Sequence, residues 1–436
     1  METRIEETGE SMRGANLQTK PYDRWRIKGA RILDPASGVD AIGDVCAAYG
    51  KITETLPQGV EVLEFDGKGM IVMPGLIDLH VHFREPGGEA AETLATGSSA
   101  AYKGGFSTLV TMPNTKPPVD TPEAVRYQAS ARIFPLKGLR ILPSACCTIG
   151  RAGREVADLE ALVAAGASAF TDDGSMVADD AVMEAVMRRA AKLGKVVMDH
   201  AVVPAIAGAG VIRRCAVSDR FGLAVFPDEA ETAAVARDIA LCRRTGCAVH
   251  IQHLSCAGSV ELIRQAQREG LPVSAEATPH HLMLAAEDIP GDDANWKMNP
   301  PLGTLADLHA LRQAVLEGVI SCFATDHAPH EAALKAKGFA SAPFGVIGLE
   351  TALPATWTAM VVEEGMAPLE WARRWLGGPA KILGIETPSF KPGASACTTM
   401  FYNEPWTVRE EDIISKSHNS PFIGRTLAGS VFGMLG

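Results

Sequence analysis

From Pro74 onward the chain alternates short apolar segments with alanine-rich helical ones, eight times over, and few folds tolerate that pattern. The strand-like segments are LIDLHVHF, STLVTMPNT, RILPSACCT, ASAFTDDG, KVVMDH, CAVHIQHLS, LPVSAEATPHH and ISCFATDHAPH. Helical stretches such as AVMEAVMRRAAKLG and EAETAAVARDIALCRRTG lie between them. Strand–helix alternation builds a parallel sheet, and eight repeats close it into a (β/α)8 barrel of the TIM type. The barrel is expected over residues 74–386. The texture differs on either side of it. Residues 21–73 read as short β pieces punctuated by Gly and Asp, and residues 387–436 are β-like again. These two ends are expected to form one small composite β domain flanking the barrel. Residues 1–20 are polar and mixed in charge, which predicts a disordered tail.

In a barrel of this kind the active site lies at the C-terminal ends of the strands. Here those ends are polar. His80 and His82 end the first strand, Asn114 follows the second, and Asp172 and Asp173 end the fourth. His200 ends the fifth, His253 the sixth, His280 and His281 follow the seventh, and Asp326 ends the eighth. In PGLIDLHVHFREPG the residues His80, His82 and Arg84 share one parity, and strand side chains alternate faces, so all three are expected to point the same way. Taken alone, an HxH pair can equally be two hydrogen-bonded core histidines. Together with aspartates and further histidines at neighbouring strand ends, it has the composition of a Zn²⁺ site, with one or two ions per subunit.

The set DLHVHFREPG, TMPNT, FTDDG, ATPHHL, KMNPPL, ATDHAPH and PFGVIGLE resembles the amidohydrolase superfamily, and within it the type I dihydroorotases. The resemblance spans about residues 25–430. It implies a metal-dependent hydrolase of cyclic amides that interconverts N-carbamoyl-L-aspartate and (S)-dihydroorotate in the pyrimidine route to UMP. It implies metal ligation by His80, His82, Asp173, His200, His253 and Asp326, with Asp326 also the catalytic acid/base. It further implies that Arg84 and Asn114 hold the substrate carboxylate, and that His82, Asn299, His330, Phe344 and Gly345 line the ring pocket. Asp172 is expected either to support a metal ligand or to cap a loop, and His281 and His327 to be structural.

Many superfamily members place a carboxylated lysine on the fourth strand. GASAFTDDG has none, which disfavours dihydropyrimidinase, hydantoinase and allantoinase readings. A different rival is an inactive homologue that serves only as a scaffold for aspartate transcarbamoylase, but such homologues lose metal ligands and all six positions are present here. The net charge of −11 disfavours nucleic acid or an anionic membrane as partner. No apolar run reaches bilayer length, and nine scattered cysteines, Cys146 and Cys147 adjacent, suit reduced thiols. A cytoplasmic enzyme acting on a small molecule is expected, with room for a homodimer and for association with a transcarbamoylase.

Overall fold

The computed structural model describes residues 23–436 except 58, 60 and 131–137. The tail expected over residues 1–20 lies outside the described residues. The N-terminal strands are β1 (Arg24–Asp34), β2 (Val39–Ala48), β3 (Lys51–Ile52), β4 (Leu63–Asp66) and β5 (Met70–Pro74). The barrel strands are β6 (Leu76–Val81), β7 (Phe106–Thr111), β8 (Arg140–Pro143), β9 (Val197–Asp199), β10 (Val249–Ile251), β11 (Val273–Ala277) and β12 (Cys322–Phe323). Four C-terminal strands follow: β13 (Thr398–Tyr402), β14 (Trp406–Thr407), β15 (Thr426–Leu427) and β16 (Ser430–Leu435).

β6, β7 and β8 pair in parallel, as do β9, β10, β11 and β12. Single parallel bridges join the two groups through Phe170, which pairs with Ala145 on one side and Val197 on the other. A further bridge, Val81 to His327, closes the ring. The fourth strand, expected along ASAFTDDG, is thus one bridge deep on each side. Its backbone is still laddered: Thr171 N donates to Ala145 O at 2.9 Å and Phe170 N to Val196 O at 3.1 Å. The pairing stops there because a side chain replaces it. Asp172 Oδ1 accepts the amides of Cys147 at 2.8 Å and Thr148 at 3.2 Å, the loop-capping one of its two expected roles. The eighth strand is also short, with Asp78 Oδ1 accepting Thr325 N at 3.0 Å in place of a backbone ladder.

The flanking sheet runs β16-β13-β5-β1-β2-β3 with β4 beside β1, so both chain ends build it. The C-terminal stretch divides, however. β14 and β15 pair only with each other, and Val408, Ile413, Phe422 and Leu427 pack with Trp296, Phe339 and Val346 near the barrel mouth. Sheet and barrel are joined by an aromatic cluster in which Trp357 meets Trp371 at 5.0 Å and Phe401 at 5.4 Å. Helices begin on side-chain caps, as at Asp158, whose carboxylate accepts Ala161 N, and at Thr304, which forms a reciprocal capping box with Asp307. All nine cysteines are free thiols. Among the described residues no helix is long and apolar enough to cross a membrane.

Candidate metal centre and substrate cavity

Six of the expected residues converge at the barrel mouth. His80 Nε2 lies 3.3 Å from Asp173 Oδ1 and 3.4 Å from Asp326 Oδ1. His82 Nε2 lies 3.1 Å from Asp326 Oδ1 and 3.5 Å from Asp173 Oδ2. On the other side, His200 Nδ1 is 2.8 Å from His253 Nε2 and 3.8 Å from Asp173 Oδ1. Ligand atoms of five of the six fall into two groups close enough to hold an ion, His80–His82–Asp173 and Asp173–His200–His253, the atoms of each within 4.8 Å of one another. Asp173 belongs to both, so its carboxylate sits where two ions would share a ligand.

The donors fit a metal by their chemistry and by what they lack. His80 Nε2 and Asp173 Oδ1 are buried and have no hydrogen-bond partner, a state that costs a buried polar atom about 1–3 kcal/mol unless something else satisfies it. Burial opposes charge on both groups, yet the charge of Asp326 and Asp173 pushes the His80 imidazole well up. Likewise His80 and His82 hold the Asp173 carboxyl well below the usual range. Burial holds the His82 and His253 imidazoles down, towards the neutral form that ligates, so four imidazoles and two carboxylates form a compact buried nest that a cation would stabilise.

The nest rests on polar groups that sequence reasoning missed. Glu276, in the middle of β11, accepts from His80 Nδ1 at 2.8 Å and from His250 Nε2 at 3.0 Å, and also takes the amide of His253 at 3.2 Å. Burial would raise this carboxyl, but the bonds from His250 and His80 bring it to about 2, so it stays ionised. It fixes His80 with Nδ1 turned away and Nε2 turned to the nest. Its one sequence signal is a lone acid inside the apolar strand VSAEA. Arg151, unmarked in the sequence, donates through Nη2 to Asp172 O at 3.2 Å and also to Asp173 O, pinning the turn that aims Asp173. Asp78, a buried residue of β6, ties His80 N and Thr325 together and thereby links the first and last barrel strands.

A cavity of about 340 Å³ opens over the nest, lined by His82, Asp173, His200, His253 and Asp326 together with Arg84, Asn114, Asn299, His330, Phe344 and Gly345. His80 lies beneath it. Arg84 arrives differently from the expectation. β6 ends at Val81, and Arg84 has φ 57°, so a left-handed turn rather than strand parity delivers its guanidinium. There Nε donates to Pro329 O at 3.2 Å and Nη2 faces His330 Nε2 at 3.4 Å. Burial lowers the guanidinium to about 10. Asn114 lines the cavity, but both ends of its amide are engaged: Oδ1 meets His82 Nδ1 at 3.0 Å and Nδ2 donates to Asp173 Oδ2 at 3.2 Å. In this structure it orients two nest residues. Asn299 Nδ2 meets His200 Nε2 at 3.0 Å, leaving its Oδ1 buried and unpaired.

His281 and His327 stand outside the nest, as expected. His281 bonds Thr278 Oγ1 and Pro300 O, while His327 meets Glu92 and takes the amide of Gly348. Backbone strain concentrates at the site. Of the five described non-glycine residues with positive φ, Arg84, His253 and Asp326 line the cavity and Arg151 holds the Asp173 turn. Such conformations cost about 1–3 kcal/mol each and cluster where geometry serves function.

Comparison with known proteins agrees with this geometry. A family model described as Dihydro-orotase-like matches residues 69–259. The dihydroorotase of Geobacillus thermodenitrificans is 44% identical over 370 residues, covering 84% of this chain and 85% of that one. The dihydroorotase of Pelotomaculum thermopropionicum is 41% identical over 411 residues, covering 92% and 95%. Among solved structures, the L-hydantoinase (dihydropyrimidinase) of Arthrobacter aurescens superposes with a TM-score of 0.78 at 22% identity, over 94% of this chain and 95% of that one. The dihydropyrimidinase of Brevibacillus agri gives 0.78 at 21% identity, over 94% and 92%. At that identity these structures share the barrel-and-side-sheet fold, whereas the relatives above 40% set the family. On that likeness, and on a histidine–aspartate nest at the mouth of a (β/α)8 barrel, the chain belongs to the dihydroorotase family.

Proposed function

We propose that the chain interconverts N-carbamoyl-L-aspartate and (S)-dihydroorotate, as a hydrolase and cyclase of the ring amide in pyrimidine synthesis, with Zn²⁺ as its metal. The observation that carries this reading is Arg84. Its buried guanidinium shares a 340 Å³ cavity with the nest, and its modest contacts, a carbonyl at 3.2 Å and an imidazole at 3.4 Å, leave donors for an anion. A ring amide with a neighbouring carboxylate meets both features at once, while a neutral hydantoin or dihydropyrimidine meets only the nest.

His80, His82, Asp173, His200, His253 and Asp326 would hold the ions, and the double membership of Asp173 favours two. A bound ion would acidify water and polarise the amide carbonyl. The chain's own groups do the rest. Arg84 binds the substrate carboxylate and sets the ring's orientation. Phe344, Gly345 and His330 line the same cavity and would contact the ring. Asp326 faces the cavity, so its carboxylate takes the proton of the attacking water and returns it to the departing ring nitrogen. Ring closure reverses these transfers.

Steady-state hydrolysis of dihydroorotate and of neutral dihydrouracil tests the reading. A strong preference for dihydroorotate is expected, and equal turnover of the two would refute the assignment. Replacing Glu276 by Gln tests how the nest is held. It keeps the shape but leaves one acceptor for the two imidazoles that Glu276 now serves. Metal affinity, measured by competition with a chelator, should fall about 10–100-fold. Unchanged affinity would mean that His80 needs no such support.

A further inference from the structure

The wall of the cavity formed by Phe344 and Gly345 hangs from two buried lysines that none of the chemistry above uses. Lys297 and Lys335 are only 3% and 6% exposed. Burying an ammonium ion costs several kcal/mol, and nature usually offsets that with a carboxylate. Here every hydrogen bond from the two side chains goes to a backbone carbonyl. Lys297 Nζ donates to Ala340 O at 3.0 Å and Ala342 O at 2.7 Å, and it sits 4.5 Å over the ring of Phe344. Lys335 Nζ donates to Pro343 O at 3.1 Å, Gly345 O at 2.8 Å and Lys297 O at 3.3 Å. The acceptors lie on one short segment, 340–345, plus the one residue that the amide of Gly345 also bonds, at 2.9 Å.

We propose that Lys297 and Lys335 are positioning residues for the substrate subsite, holding the 340–345 segment so that Phe344 and Gly345 meet the substrate ring at a fixed distance from the nest. The inference rests on the functional reading above, because it takes the cavity as the place of the ring. Three further observations support it. The segment's position is tightly specified, since a Cβ on Gly345 would lie 2.8 Å from Ala328 O and 2.9 Å from His330 Cδ2. Phe344 O accepts from His330 Nε2 at 2.7 Å, so the segment also sets the imidazole that faces Arg84. Burial lowers the Lys335 ammonium to about 7, with Lys297 adding to the effect, so the pair sits at an energetic expense that a Met in either place would avoid. The carbonyls that the two ammonium groups gather say which segment they position.

The test is the pair of single variants Lys335→Met and Lys297→Met in the full-length, metal-loaded protein. A misplacement of about 1 Å in a substrate-holding element can cost on the order of 10²-fold. Accordingly KM for dihydroorotate should rise at least about tenfold while kcat stays within about threefold and metal content is unchanged. Lys335→Gln, which keeps two N–H donors, should recover part of the loss. A second readout needs no substrate: amide hydrogen exchange at residues 344–347 should quicken in both Met variants. That readout separates this inference from the functional one. If wild type leaves dihydroorotate untouched but exchange quickens, the functional reading fails and the tethering stands. If KM and exchange both match wild type, or if kcat and metal content fall together, the positioning role is overturned. Should Lys335→Met fail to fold, Lys297→Met decides by the same two measurements.

Discussion

Asp326→Asn should fold, keep most of its metal and lose about 10²–10⁴-fold in turnover of dihydroorotate, the usual toll of removing a general acid–base. The residue is held at φ 45°, a left-handed conformation that Asn tolerates as well as Asp, so the backbone has no reason to move. Its Oδ1 lies 3.1 Å from His82 Nε2 and 3.4 Å from His80 Nε2, contacts that an amide oxygen can keep. An amide cannot take up a proton and return it. The loss should therefore appear in kcat rather than in KM, and in both directions of the reaction. Single-turnover and steady-state rates beside metal analysis measure it. Activity within a few-fold of wild type would remove Asp326 from the proton path.

Arg84→Met should abolish the preference for an anionic substrate while leaving the nest intact. The guanidinium touches no residue of the nest by hydrogen bond; its contacts are Pro329 O and His330 Nε2. Metal content should accordingly stay normal. Losing one partner of a buried, hydrogen-bonded charge pair costs about 2–5 kcal/mol, which is about thirtyfold to about five-thousandfold in kcat/KM for dihydroorotate. Neutral dihydrouracil should be unaffected or improved, since it never matched the charge. The measurement is kcat/KM for both substrates in both proteins. A variant that keeps the wild-type ratio would show that another group anchors the carboxylate.

Much of this was legible before any coordinates. The eightfold alternation specified the barrel, because strand and helix periods differ and each apolar segment was short enough to be a strand. Barrel topology forces strand ends into one ring, so sequence-distant His and Asp must meet there, but it was the family resemblance that separated the six nest residues from Asp172, His280 and His281 at the same strand ends. What stayed hidden was whatever depends on pairing across the ring. Asp78 and Thr325 are 247 positions apart, and His80 and Glu276 are 196 apart, and nothing local in the chain announces either contact. Arg84 was placed on the right side for an incomplete reason. Parity predicted its direction, but the strand ends three residues earlier and a left-handed turn carries it in. The fourth strand was overdrawn because Asp172 spends its carboxylate on two amides of the neighbouring loop, which stops the ladder. Asn114, expected at the substrate carboxylate, lines the cavity, and its bonds to His82 and Asp173 are a further cross-ring pairing that the sequence did not announce. Lys297 and Lys335 carry no sequence signal, since a cage of backbone carbonyls leaves no trace in side-chain types.

The account stands or falls on one claim, that the nest at the barrel mouth is a metal centre for opening the dihydroorotate ring. The direct measurement is the rate of dihydroorotate hydrolysis by the purified protein before chelation, after removal of the chelator, and after stepwise return of Zn²⁺. The account predicts that chelation abolishes hydrolysis without unfolding the chain, and that activity returns in proportion to zinc bound, saturating at two ions per chain. Hydrolysis that persists at full rate in the metal-free protein, or a zinc-loaded protein that opens neutral cyclic amides while leaving dihydroorotate untouched, would contradict it.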